Sequence, residues 1–94
     1  MEPRNPEFQY SLASLLISND IDIEEGLELI DLILDKNPDL PDALQAKGWG
    51  LYKQGKLEES LNTLKQSWDL LPTYNHDIHL HIQEVEQALA SQNQ

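Results

Sequence analysis

Apolar residues in this chain fall into five runs at helical spacing, each bounded by residues that break or turn a helix. The breaks are Pro6, Asn19-Asp20, Asn37-Pro38 with Pro41, Gly55 and Pro72. The pattern predicts helices at 7–18, 23–36, 41–54, 57–70 and 74–90. The last shows the plainest stripe, with Ile78, Ile82, Val85 and Leu89 at i, i+4, i+7 and i+11 on an otherwise polar segment. Seventeen Leu stand against one Val and two Thr, and that shortage of β-branched residues other than Ile favours helix over sheet. The predicted class is all-α. Short turns leave consecutive helices antiparallel, so the chain is expected to zigzag as successive helical hairpins.

Sliding the sequence against itself by 34 residues brings out an internal repeat. Pro38 falls on Pro72, Glu24-Glu25 on Glu58-Glu59, Ile23 on Leu57, Gly26 on Ser60, Leu27 on Leu61, Ile30 on Leu64, Tyr10 on Leu44 and Ser14 on Gly48. The second unit reads Leu44, Gly48, Leu51-Tyr52, Lys53-Gln54-Gly55, Leu57, Ser60, Leu64, Ser67 and Pro72, an alternation of large apolar and small residues closed by proline. A 34-residue helix-turn-helix period of this kind resembles the tetratricopeptide repeat. Lys47 stands where that family usually has Leu, and Leu51 and Leu64 replace aromatics. The first unit is more degenerate, with Ala13-Ser14 for Leu-Gly and Ile21 in place of the turn glycine. Ile23, Gly26, Leu27, Ile30, Ile33 and Pro38 keep the pattern.

The resemblance covers nearly the whole chain and implies one domain, 1–94. It comprises a repeat at 7–40, a repeat at 41–74 and a capping helix at 74–90, stacked as a right-handed superhelix. Similar endings close longer bacterial tetratricopeptide proteins. In helix 7–18, Phe8, Tyr10, Leu12, Ala13, Leu15, Leu16 and Ile17 spread around most of the circumference. A covering element is therefore expected there, either preceding repeats or a second copy forming a homodimer through helix 7–18.

Composition narrows the function. Leu, Ile, Val and Phe make up 26 of the 94 residues, enough for a folded core, since highly charged chains stay disordered when that share falls below roughly a fifth. A chain this short buries only about 60 to 65% of its unfolded surface, which disfavours a large enclosed catalytic pocket. The formal net charge is -11, and six scattered Lys and Arg do not make a phosphate-binding patch, so neither nucleic acid nor an anionic membrane is an expected partner. No apolar run approaches a membrane span, and Met1 to Pro6 lacks the basic and then apolar regions of a signal peptide, which tilts the expectation toward a cytoplasmic setting. With no Cys, disulfides, thiolate nucleophiles and thiolate metal sites are excluded.

The resemblance implies that the first helix of each hairpin lines a concave groove. The positions concerned are Ser11, Leu12, Leu15 and Ser18, then Asp42, Gln45, Trp49, Tyr52 and Lys53, then His76, His79 and Gln83. Gln45, Trp49 and Tyr52 share one helix face, and an exposed aromatic there is a natural anchor for a partner. The competing reading is that Trp49 covers the capping helix as packing. Residues 20–42 carry nine acids and one Lys, whereas 43–57 carry Lys47, Lys53 and Lys56 with no acid. A ligand carboxylate at Lys53 is one expectation, and a solvated basic face is the other. The family's two-carboxylate clamp is missing, because its slots hold Ser11, Leu15, Asp42, Ala46 and Trp49.

Three histidines, His76, His79 and His81, raise the question of zinc. His79 and His81 point about 200° apart on a helix, so at most His76 and His79 share a face, and no metal or other cofactor is expected. Phosphate loops and nucleophile-elbow motifs are absent, and no catalytic residue is assigned. The expectation is a non-catalytic scaffold that binds a protein or peptide segment in its groove. The alternative is a structural terminal module of a longer solenoid, or a self-associating domain.

Overall fold

The structure, a computed structural model, describes residues 6–71 and 75–92. Five helices account for nearly all of them: α1 (Pro6–Ser18), α2 (Ile23–Lys36), α3 (Pro41–Lys53), α4 (Leu57–Leu70) and α5 (His76–Gln92). No strand occurs among the described residues. Pro72 and the expected start of the last helix at Tyr74 lie outside them.

The boundaries follow from local chemistry. Asp22 caps α2 by accepting a hydrogen bond at Oδ1 from the backbone N–H of Glu25, 3.0 Å away. Pro41 opens α3, where its missing N–H costs nothing. Asn75 caps α5 by accepting from the Ile78 N–H at 3.0 Å. Helix α3 closes on Gly55 at φ 83, with Lys56 N–H donating to Leu51 O and Gly55 N–H to Tyr52 O, both at 2.9 Å. That is the left-handed cap in which two orphan carbonyls regain donors. Helix α1 ends the same way around Asp20 at φ 55, with Ile21 N–H donating to Leu16 O and Asp20 N–H to Ile17 O. Asp tolerates this left-handed conformation better than most side chains do.

The two caps lie 35 residues apart, not 34, and this corrects the register read from the sequence. The first turn holds one more residue than the second. Helices α2 and α4 keep the 34-residue offset, but α1 maps onto α3 with an offset of 35. Packing gives the same answer. A Cβ placed on Gly26 would lie 3.0 Å from the carbonyl oxygen of Ala13, and Ser60, the equivalent of Gly26, donates its hydroxyl to the carbonyl of Gly48 at 2.6 Å. Ala13 thus corresponds to Gly48, Tyr10 to Gln45, Ser14 to Trp49 and Ser18 to Lys53. The pairings of Tyr10 with Leu44 and Ser14 with Gly48 are one residue out.

Neighbouring helices run antiparallel. Ser60 near the start of α4 bonds Gly48 late in α3, while Ser67 near its end bonds Pro41 O at 2.7 Å at the start of α3. Helix α3 is central and touches the other four helices. Its two glycines point to opposite sides. A Cβ on Gly48 would sit 2.6 Å from Leu64 Cγ of α4, and one on Gly50 would sit 2.7 Å from Leu27 Cδ2 of α2. One core gathers Ala13, Ile17, Ile30, Ile33 and Ala43 between α1, α2 and α3. A second gathers Leu57, Leu64 and Val85 between α4 and α5, with Tyr52 of α3 against it. The body measures 48 × 31 × 20 Å.

Candidate functional site

An open groove of about 250 Å³ lies where α1, α3 and α5 meet. Helix α1 supplies Tyr10, Ser14, Ile17 and Ser18, α3 supplies Gln45, Ala46 and Trp49, and α5 supplies Asp77 and His81. On α1 the row Tyr10, Ser14 and Ile17 is spaced i, i+4, i+7, one helix face. Under the 35-residue offset these positions correspond to Gln45, Trp49 and Tyr52. The structure therefore lines the groove with the equivalents of the residues singled out on α3. Of the four residues expected from α1, Ser18 lines it, whereas Ser11, Leu12 and Leu15 do not. Leu12 is half-buried and Leu15 is 53% exposed, because the extra turn residue shifts the helix face by one position.

Trp49 joins the groove to the packing beneath it. Its ring stacks on His81 of α5 with centroids 3.9 Å apart and planes at 13°, and on Tyr52 with centroids 4.8 Å apart and planes at 24°. Trp49 also packs against the first core. Trp49 thus packs on α5, as one of the two sequence readings has it, and also lines the groove. Beyond Trp49 a second depression continues along α5, lined by Leu80, His81, Gln83, Glu84 and Gln87.

His81 was set aside in the metal argument, yet it is the histidine that reaches Trp49. Burial lowers its pKa below the ordinary 6.5, against the raising influence of Asp77 and Glu84 on the same face of α5. Its Nδ1 is buried without a hydrogen-bond partner, consistent with a neutral ring. His76 and His79 share a face as expected, with ring centroids 6.5 Å apart. His79 lies beside Trp68 of α4 at 6.1 Å, on another side of α5 from the groove residues Asp77 and His81. No group of three or more His, Cys, Asp or Glu arranged to hold a metal occurs among the described residues.

Two of the lysines, Lys47 and Lys53, are committed within the fold. Lys53 Nζ lies 3.0 Å from Asp20 Oδ1 and donates to the carbonyl of Ser18 at 3.2 Å, so it ties the end of α3 to the α1–α2 turn. Lys47 Nζ pairs with Asp31 Oδ1 at 3.0 Å, linking α3 to α2. Lys53 is therefore not a vacant anchor for a ligand carboxylate. No described helix is long and apolar enough to cross a membrane.

Of the lining residues missed on the sequence, Tyr10 and Ser14 on α1 had no visible signal, whereas Asp77 and His81 on α5 had one. Asp77, His81 and Glu84 each immediately precede a member of the apolar stripe Ile78, Ile82 and Val85, so they form the adjacent row of α5. No family model matches the chain, and no curated protein or solved structure matches it either.

Proposed function

We propose that this chain is a tetratricopeptide-like, non-catalytic module that binds a protein or peptide segment across α1, α3 and α5. The observation that carries this reading is the groove around Trp49: aromatic, open to solvent, and edged by the small polar residues Ser14, Ser18 and Gln45. Its first section holds about 250 Å³, and it continues past Trp49 into the second depression along α5. It suits one or two side chains of a longer segment that runs over the surface. Aromatic anchors of this kind dominate recognition, while the remaining contacts mainly exclude water.

The test compares Trp49→Ala with Glu28→Ala in capturing partners from a lysate. Trp49→Ala also removes two ring stacks, so its fold must be verified by circular dichroism before binding is compared. Loss of an anchor should weaken binding by about 2 kcal/mol or more, and loss of the exposed Glu28 on α2 by far less. A folded Trp49→Ala that binds like the parent, beside a weakened Glu28→Ala, would move recognition to the acidic face of α2.

One observation favours the alternative of self-association or docking to further repeats. The first hairpin leaves Leu15, Leu32 and the turn residue Ile21 more than half exposed, at 53%, 53% and 63%. Sedimentation distinguishes the two readings, because self-association through this end makes the apparent mass rise with concentration and peptide capture in the groove does not.

A further inference from the structure

The groove is electrostatically one-sided. Among the described residues lining its first section, Asp77 is the one with a formal charge, and among those of the second section beyond Trp49 it is Glu84. Neither acid takes part in an ion pair among the described residues, whereas Lys47 and Lys53 are paired elsewhere in the fold. His81 lies between the two carboxylates, and burial lowers its pKa and so disfavours the charged ring that would offset them. The chain as a whole carries -11, which adds a long-range field of the same sign.

From this charge pattern we infer that the groove's occupant is a cationic peptide segment, with one Arg or Lys at Asp77, a second at Glu84, and an apolar side chain between them at the edge of Trp49. The inference rests on the peptide-groove reading above and specifies its ligand. Asp77 and Glu84 are seven residues apart on one helix, roughly 10 Å along its axis. Three residues of polyproline II segment advance about 9 Å and return to the same side, so the spacing fits Arg-x-x-Arg in that conformation. A guanidinium also stacks on aromatic faces, and Tyr10 lines the same section of groove. Among the described residues, an acidic segment would meet two carboxylates without ion pairs and no cation lining the groove.

Three blocked peptides test this, Gly-Arg-Pro-Leu-Arg-Gly and its counterparts with Glu or Gln at both Arg positions, titrated at low and high salt. The readout is the indole N–H resonance of Trp49, assigned with the help of Trp68→Phe. The Arg peptide should move that resonance and bind about tenfold more tightly than the Glu peptide, less so at high salt. Asp77→Asn and Glu84→Gln should each weaken the Arg peptide about two- to fivefold. A charge-matched double variant of exposed helix acids elsewhere, Glu28→Gln with Glu58→Gln, should leave its affinity within twofold of the parent.

Equal or tighter binding of the Glu or Gln peptide at Trp49 would overturn the cationic assignment and leave the peptide-groove reading standing. The same loss in the Glu28→Gln, Glu58→Gln control as in the Asp77→Asn, Glu84→Gln pair would reduce the effect to net charge and also overturn it. If none of the three peptides shifts the Trp49 resonance at millimolar concentration, the peptide-groove reading falls with it.

Discussion

Gly48 of α3 sits directly against Leu64 of α4, and replacing it with Ala probes whether the hairpin is packed as described. Two terms oppose each other. An Ala in a helix interior is favoured over Gly by about 1 kcal/mol. The new Cβ would lie 2.6 Å from Leu64 Cγ, 2.7 Å from Leu64 Cδ2 and 3.3 Å from the Leu64 backbone nitrogen. Leu64 is fully buried, clustered with Leu57 and Val85, so making room for the Cβ means repacking that core. Overpacking of this kind costs about 1 to 3 kcal/mol, so Gly48→Ala should be neutral to destabilising by about 2 kcal/mol. The decisive measurement is a double-mutant cycle with Leu64→Ala, read by urea unfolding with sucrose present in all four samples so that each folds. Leu64→Ala alone should cost about 2 to 5 kcal/mol. It also clears the space, so in that background Gly48→Ala should stabilise by its helix preference, about 1 kcal/mol. An equal effect of Gly48→Ala in both backgrounds, or a stabilised Gly48→Ala single variant, would refute the close approach.

Asp22→Ala should lower the urea midpoint of unfolding by the equivalent of about 1 kcal/mol, because it removes the acceptor for the Glu25 N–H at the start of α2; an unchanged midpoint would mean that the cap contributes nothing. His81 has its pKa lowered in the folded state, so the unfolded chain takes up a proton first as the pH falls. Its contribution is therefore complete above about pH 6.5 and declines as the pH drops through 6.5 toward the folded value. Thermal melts of His81→Phe, which keeps a flat ring against Trp49, should show a shallower loss of stability from pH 7 toward pH 5 than the parent, and parallel curves would contradict this.

The element pattern was legible because each helix end carries its own local marker. Predicted spans of 7–18, 23–36, 41–54 and 57–70 meet observed spans of Pro6–Ser18, Ile23–Lys36, Pro41–Lys53 and Leu57–Leu70. Gly48 was readable as a close approach for the same reason, since a small residue inside a helix flanked by large ones has few other uses. The face of α1 was not legible. Its left-handed turn residue is Asp20, not Gly, so the alignment anchored on Gly55 placed Ile21 in the turn and moved the α1 positions by one. On a helix one residue is about 100°, enough to exchange Tyr10 and Ser14 for Ser11 and Leu15. Nor could the sequence show that Lys53 is engaged, because its partner Asp20 is 33 positions away. The role of His81 depends on how α5 rotates against α3, which the apolar stripe constrains only to the neighbourhood of Ile78, Ile82 and Val85.

The buried hydroxyls of Ser60 and Ser67 make the two hairpins mechanically unequal. In the second hairpin they fasten α4 to the carbonyls of Gly48 and Pro41 at two points seven residues apart, like pegs in a ruler. Sliding α4 by one helical turn would strand both hydroxyls in an apolar interior, at about 1 to 3 kcal/mol each. The equivalent positions in the first hairpin are Gly26 and Ile33, which have no such pegs. Shear along the helix axes, whether from a pulling force or from a ligand wedged between α1 and α3, will therefore be taken up by α1 gliding over α2, while α3 and α4 travel as one rod.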